Sequence, residues 1–283
     1  MNEKNGWWDT GISPEVLAFG VVPFLGDIFQ DMTAIVIIPT VNGCIVAADG
    51  RSRYIDPDYF SGGANDRTKE CEQKIFHDRW AESDFIYAVM GSISSGDTRF
   101  SAIAEIQDAI RSLSSMQISD PYSYSYHLAQ KVNKALADAR KAKRCPAFNP
   151  RSDTIFTIFV LGYFLKTEPI LASLRFRHSV QVLLDPDIVI GKAEYKFFGS
   201  QAVGNAIKLN PALAKYRTDI SFSSSLDEAA QCAKGFIEAH FDPIAIQIDP
   251  VTCSTIGGCV HIAELTPAGF RWRIEPQCIT GTH

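Results

Sequence analysis

Two apolar runs on either side of Asn42-Gly43 constrain this chain more than any other stretch. Met32-Thr33-Ala34-Ile35-Val36-Ile37-Ile38 precedes the turn, and Gly43-Cys44-Ile45-Val46-Ala47-Ala48-Asp49-Gly50-Arg51-Ser52 follows it. Asn-Gly between β-branched runs is a strong short-range hairpin signal. Neither run alternates apolar with polar residues, so both strands are expected to be buried on both faces. The ends of the pair carry candidate chemistry. If Thr33 becomes a free N-terminus, its hydroxyl and its own α-amine share one residue. Such an amine has an ordinary pKa of about 7.7–8.0 and can act as a base near neutral pH. A hydroxyl nucleophile with an N-terminal amine as base is one variant of triad logic. Asp49, leaving the next strand, is placed to come back beside Thr33. On spacing alone, a threonine opening a strand and an aspartate closing one are ordinary features.

Composition narrows the function classes. The 283 residues suffice for one large domain or two small ones. Apolar residues make up 46% and charged residues 21%, an ordinary balance for a soluble globular protein. A net charge of −5 gives no electrostatic footprint for nucleic acid. No apolar run reaches the roughly 18 residues of a membrane span, and the N-terminus lacks the basic region and apolar core of a signal peptide. The seven cysteines are scattered, none in a C-x-x-C, and Cys253 and Cys259 lack zinc-knuckle spacing. Reduced thiols and a cytoplasmic setting are therefore expected. No Gly-rich phosphate loop occurs, so the chain itself is not expected to hydrolyse ATP. The six histidines are isolated and read as structural or exposed, and no metal or organic cofactor is expected.

Residues 1–32 form a leader distinct from a domain over 33–283. Met1 to Gly11 is polar apart from Trp7-Trp8, and Ser13-Pro14 can open a short helix. The leader has three readings: a propeptide removed before Thr33, a permanent extension, or the product of a misassigned start. In the last, synthesis begins at Met32, and removal of that Met exposes Thr33 without self-cleavage. Arg53 to Arg67 is expected as a loop, 72–76 as a short strand, and Asp84–Met90 as a buried strand ending at Gly91. Helical spacing covers Arg99–Leu113 and Tyr122–Ala142. Strand-like runs follow at Thr154–Tyr163, Pro169–Phe176, Ser179–Leu184 and Tyr195–Phe198. A helix is expected at Leu226–Phe241. A final hairpin joins Cys259–Leu265 to Gly269–Ile274.

Thr33, Gly43, Ala47-Ala48-Asp49 and Arg51 resemble, in register and without a gap, the start of a proteasome β-type subunit. There a mature N-terminal threonine is followed by a strand, a turn glycine, a second strand ending Ala-Ala-Asp, a small residue and Arg. The likeness extends more weakly across residues 33–275. It implies an α+β fold, the four-layer αββα sandwich of N-terminal nucleophile hydrolases, in which helix layers enclose two antiparallel sheets. It further implies Lys74 as the ammonium beside Thr33, held by Asp49. It implies Gly91 as the backbone N–H facing an oxyanion.

The chain is also similar to proteasome-like bacterial proteases that work with an unfoldase ring and mature by loss of an initiator Met. Self-processed β subunits usually carry Gly before the threonine, where this chain has Met32. β subunits also carry Asp-x-x-Ser before a Gly-Gly. Aligning on Gly257-Gly258 puts Cys253 and Ile256 there, with Asp249 and Ser254 able to substitute only if the loop is remodelled. The unfoldase-linked relatives lack that pair too.

The implied function is a threonine-type peptidase subunit of a ring homo-oligomer. It would act on peptide or unfolded-protein substrate, with a separate ATPase unfoldase as partner and no nucleic acid or membrane. The rivals are a non-catalytic ring subunit retaining residues 1–32, a small-molecule amidase of the same fold, and a scaffold that binds a partner through Trp7 and Trp8.

Overall fold

The structure is a computed structural model that describes residues 33–54, 67–80, 83–91, 100–114, 116, 118, 120–144, 153–164, 168–178 and 182–276. The leader, with Trp7, Trp8 and Met32, lies outside the described residues.

The opening hairpin forms from β1 (Ile35–Thr40) and β2 (Gly43–Asp49), and every residue of both strands is buried. Its two-residue turn is Val41-Asn42, one position earlier than the expected Asn42-Gly43, because Thr40 and Gly43 are already paired. The Thr40 hydroxyl closes that turn. It accepts from the Asn42 N–H at 3.2 Å and donates to the Gly43 carbonyl at 3.1 Å. Gly43 is demanded by crowding within the ladder: a Cβ there would sit 2.6 Å from the Leu265 carbonyl oxygen.

β1 and β2 are inner strands of a five-stranded sheet of order β10-β1-β2-β11-β12, completed by β10 (Lys196–Phe198), β11 (Val260–Thr266) and β12 (Gly269–Ile274). The second five-stranded sheet is a meander. It runs through β5 (Ile75–Trp80), β6 (Ser83–Gly91), β7 (Thr154–Gly162), β8 (Ile170–Arg177) and β9 (Asp187–Lys192). All pairings in both sheets are antiparallel.

The period of two along β1 sorts its side chains between two cores. Ile35 and Ile37 join Val46, Ile86, Phe159 and Leu161 in a core shared by the two sheets. Val36 and Ile38 point the other way. They pack with residues of α3 (Gln201–Leu209), α4 (Leu226–Ala239), α5 (Pro243–Ile248) and α6 (Pro250–Thr255). The outer face of the second sheet is covered by α1 (Ala102–Leu113) and α2 (Pro121–Lys141), through Ile106, Leu128 and Val132 against Val89, Ile158 and Leu174. Two antiparallel sheets thus face each other across one core and carry helices on their outer faces. The hairpin is hydrophobic throughout because it needs cover on both sides.

Local signals explain most boundaries. Asp120 caps α2 by accepting from the Tyr122 and Ser123 N–H groups, with Pro121 at the first helical position. Ser225 and Glu228 form a reciprocal capping box at α4.

Three expectations need correction. The loop expected over 53–67 is pinched at its base by a two-stranded ladder of β3 (Ser52–Tyr54) and β4 (Arg67–Lys69), while 55–66 lie outside the described residues. Ser179–Leu184 is not a described strand; 179–181 lie outside the described residues, and Leu183 makes a single bridge to His178. The strand that pairs with β8 is β9 instead, read over because it starts directly after Pro186 and contains Gly191, both of which interrupt a strand pattern. As an edge strand it satisfies only one side of its ladder and leaves Val189 67% exposed. Among the described residues, no helix is long and apolar enough to cross a membrane.

The shared core sets an expected stability difference. Ile37→Ala removes a side chain that is 1% exposed between the sheets and should cost about 2–5 kcal/mol. Val189→Ala on the exposed edge should stay within about 0.5 kcal/mol. Urea unfolding of the two variants beside the parent checks the contrast, and equal costs would contradict the sheet-on-sheet core.

Candidate active site

The pairing of β1 with β2 places Ala34 opposite Asp49. The Asp49 N–H donates to the Ala34 carbonyl at 3.2 Å, and the Ala34 N–H returns a bond to Asp49 Oδ1 at 2.9 Å. Thr33 precedes Ala34 and is 6% exposed. Lys74 lies one residue before β5, and its Nζ donates to the same Oδ1 at 3.0 Å. A second Nζ donor goes to the Arg51 carbonyl, which leaves one ammonium N–H without a protein acceptor among the described residues. Asp49 Oδ2 accepts from the Arg51 N–H at 3.2 Å and from the Gly257 N–H at 3.0 Å.

Asp49 is 0% exposed and Lys74 2%. The solvated strand-edge lysine that the sequence alone would favour is therefore not what forms. Burial pushes the Asp49 carboxyl up from its ordinary range, against the Lys74 ammonium and the Gly257 and Ala34 N–H groups, which pull it down. Four donors converge on its two oxygens, so the geometry fits the carboxylate, since a proton would displace one of them.

Gly91 closes β6 opposite Phe156. Its φ of 113° is one that side chains rarely adopt, and a Cβ there would lie 2.7 Å from the Ile155 carbonyl oxygen. The same strand meets the Lys74 backbone, because the Val89 N–H donates to the Lys74 carbonyl at 3.1 Å. The structure thus brings Asp49 and Lys74 into contact and ties Ala34, the neighbour of Thr33, to both. Among the described residues, no hydrogen bond joins the Thr33 side chain or Gly91 to that pair.

Asp249 and Ser254 have other duties. Asp249 accepts from Ser200 Oγ at 2.7 Å and from the Thr252 N–H at 3.1 Å as the cap of α6. Ser254 Oγ donates to the Val251 carbonyl. Cys253 and Ile256 are buried apolar packing. The segment that would carry the missing pair supports the site with backbone: the Gly257 N–H on Asp49, and the Ser254 and Ile256 carbonyls accepting from Arg51 at 3.3 Å each. Arg51 in turn bonds the Glu70 carboxylate through Nε and one terminal nitrogen at 3.1–3.2 Å. Sequence reasoning used Gly257-Gly258 only as an alignment anchor. A backbone donor leaves no side-chain signal.

The reduced thiols also need correction. Cys71 and Cys259 are disulfide-bonded, with Cα atoms 5.4 Å apart and a sequence separation of 188. The β3–β4 pairing brings Cys71, and the β2–β11 pairing Cys259, to the end of β2, so spacing carries no sign of the bond. Closing a loop of that length is worth about 5 kcal/mol in the chain-entropy model. Cys44, Cys232 and Cys253 are buried free thiols.

Two fully buried histidines brace the surroundings. His240 Nε2 accepts from the Ser200 N–H at 3.0 Å, so its proton sits on Nδ1, facing the Phe236 carbonyl at 2.9 Å. His261 Nε2 donates to the Glu72 carbonyl at 3.0 Å. Burial pushes both down to about 4, and the nearby Lys74 ammonium adds to the effect on His261. Among the described residues, no group of three or more His, Cys, Asp or Glu side chains is arranged to hold a metal ion.

No protein-family model matches the chain, and no curated protein matches it. Among solved structures the chain is similar to Anbu (ancestral beta-subunit) from Yersinia bercovieri. The two are 11% identical over 86% of this chain and 87% of that one, with a TM-score of 0.49. A likeness of that degree says nothing about chemistry.

Two measurements follow from this geometry. Lys74→Met leaves the Asp49 carboxylate buried without its counter-charge and should cost about 3–5 kcal/mol, recovered in part by adding Asp49→Asn. Denaturant unfolding of the single and double variants checks it. His240 and His261 are neutral in the fold, while the unfolded chain protonates them near 6.5. Their stabilisation is therefore present above pH 6.5 and lost as pH falls towards about 4. The loss is on the order of 3 kcal/mol for each. Unfolding series across that window should show His240→Gln with a shallower acid limb than the parent.

Proposed function

We propose that the chain is a threonine-type peptide hydrolase of the proteasome-like, N-terminal nucleophile class, active once Thr33 is the N-terminal residue. The observation that carries the reading is one oxygen. Asp49 Oδ1 accepts both from the N–H of Ala34, next to Thr33, and from the Lys74 ammonium. The resemblance of the Thr33–Arg51 segment to β-type subunits supports it, as does the layering of helices over two antiparallel sheets.

In this mechanism the Thr33 hydroxyl oxygen attacks a peptide carbonyl, and its proton passes to the Thr33 α-amine. Lys74 lowers the proton affinity of that amine by like-charge repulsion, and its remaining N–H stabilises the hydroxyl oxygen as it loses its proton. Asp49 fixes the ammonium in place. The Gly91 N–H donates to the oxyanion. The C–N bond breaks, and the leaving amine takes the proton from the Thr33 ammonium. Water then hydrolyses the ester, with the same amine as base. Residues 1–32 act as the leader whose absence frees Thr33. The substrates are peptides or unfolded proteins, held within a ring of identical subunits. A separate ATPase unfoldase would supply folded ones.

Two forms test this: the full chain and one begun at Met32, each with its N-terminus read by intact mass. Material beginning at Thr33 should cleave members of a fluorogenic peptide panel, and Thr33→Ala should lower kcat/KM by about a thousandfold. Material retaining residues 1–32 should be inactive. If Thr33-terminated protein cleaves nothing, the non-catalytic ring subunit takes over. Turnover of small amides in preference to peptides would make it an amidase.

A further inference from the structure

Three pieces of chain meet behind the Asp49–Lys74 pair: the end of β2, the approach to β5, and the turn before β11. The Glu72 N–H donates to the Gly50 carbonyl at 2.7 Å, the Cys259 N–H to the Glu70 carbonyl at 3.0 Å, and the Gly50 and Arg51 N–H groups to the Gly257 carbonyl. The Cys71–Cys259 bond crosses this junction. Cys71 is three residues before Lys74, and Cys259 two residues after Gly257, whose N–H supports Asp49. Both cysteines are partly exposed, whereas the pair they brace is not. A reductant approaches the bond from that partly exposed side. The free thiols Cys44, Cys232 and Cys253 are buried away from such chemistry. The two strapped segments are also joined by Cys259 N–H to Glu70 O, by His261 to Glu72 O, and by Arg51 bridging Glu70 to the 254–256 carbonyls.

We propose that the Cys71–Cys259 disulfide is a reversible redox clamp that holds Lys74 against Asp49. Its consequence for activity rests on the Thr33 reading above; its consequence for Lys74 does not. The reaction partner is a dithiol. One thiolate attacks a sulfur of the cystine, the S–S bond breaks, and a mixed disulfide forms. The second thiol of the reductant displaces the protein sulfur. Two electrons and two protons move from dithiol to cystine, leaving two protein thiols and an oxidised reductant. With the strap gone, the exposed outer part of the junction, where Arg51 meets the Glu70 carboxylate, opens more often, and in those openings Lys74 loses its partner. Oxidation by a small-molecule disulfide reverses both steps. Exposed, loosely supported disulfides near a functional site are the ones that cycle.

The test uses the full chain, before and after dithiothreitol, with the reductant removed under inert gas. A pulse of an amine-acylating reagent is followed by peptide mass spectrometry at Lys74, and iodoacetamide labelling of Cys44 reports global opening. Lys74 acylation should rise about tenfold on reduction while Cys44 stays unlabelled, and glutathione disulfide should restore protection. The Cys71→Ser/Cys259→Ser variant should match the reduced protein and ignore both reagents. Three results overturn the clamp: complete reduction with unchanged Lys74 acylation, parallel labelling of Cys44, or failure of the bond to form in glutathione disulfide. Peptide turnover is read alongside on protein begun at Met32 and shown by intact mass to start at Thr33, reduced and reoxidised in the same way. If the Thr33 reading holds, kcat falls on reduction and recovers on reoxidation. If no form turns over, that reading fails while Lys74 labelling still decides the clamp.

Discussion

A buried carboxylate cannot be left short of donors, and Asp49 organises the structure around that demand. Its two oxygens take N–H groups from Ala34, Arg51 and Gly257 and the ammonium of Lys74. Those donors come from the start of β1, the end of β2, the approach to β5 and the turn before β11, so meeting the needs of one side chain registers four pieces of chain. The cost of desolvating two charges is large, and the pair alone is a weak argument for stability. What it provides is position: removing any donor leaves an uncompensated group in the interior.

The two sheets serve that position in different ways. The first supplies Asp49 from a strand flanked on both sides and covered on both faces. The second supplies Lys74 and Gly91 from the same end of one ladder, where the Val89–Lys74 bond joins its two strands. Their shared core of Ile35, Ile37, Val46, Ile86 and Phe159 holds the sheets in register. Close-packed interiors transmit small shifts, so a substitution between the sheets would move the Lys74 backbone relative to Asp49 without touching either.

Much of this was legible in the sequence where local physics writes a local signal. Asn42 and Gly43 marked the hairpin, although the Thr40 hydroxyl moved the turn by one residue. The continuous apolar runs gave two-sided burial. Apolar spacing marked the helices at Tyr122–Ala142 and Leu226–Phe241, although the caps that start them, Asp120 with Pro121 and Ser225 with Glu228, were not read. Lys74 was legible only through a family likeness, because a lone lysine before a strand reads as solvated. What stayed hidden is what pairing across the chain creates. Gly257 contributes a backbone N–H, Glu70 meets Arg51 from a separate loop, and Cys71 finds Cys259 across 188 residues. The short helices α5 and α6 span six residues each, too few for a helical period, although Asp242-Pro243 and Asp249-Pro250 carry the cap and first-turn proline that start them. β9 was missed because an edge strand needs no strong hydrophobic pattern.

The strand order of the first sheet has a consequence in time. The second sheet is a meander whose neighbours follow one another along the chain, so each strand has its partner as soon as it is made. β2 does not. Its far side is completed by β11, and the Gly257 N–H that supports Asp49 lies 208 residues further on. At about 5–20 residues per second, on the order of 10–40 s of synthesis separate the two. Until β10 is made the hairpin has emerged with both edges open, and after that the β2 edge still waits, a row of unsatisfied backbone groups and a carboxylate without its full set of donors. The nascent chain therefore carries its most adhesive surface early and buries it last, which makes β2, rather than any part of the finished surface, the place where a newly made copy is exposed to aggregation and to chaperones.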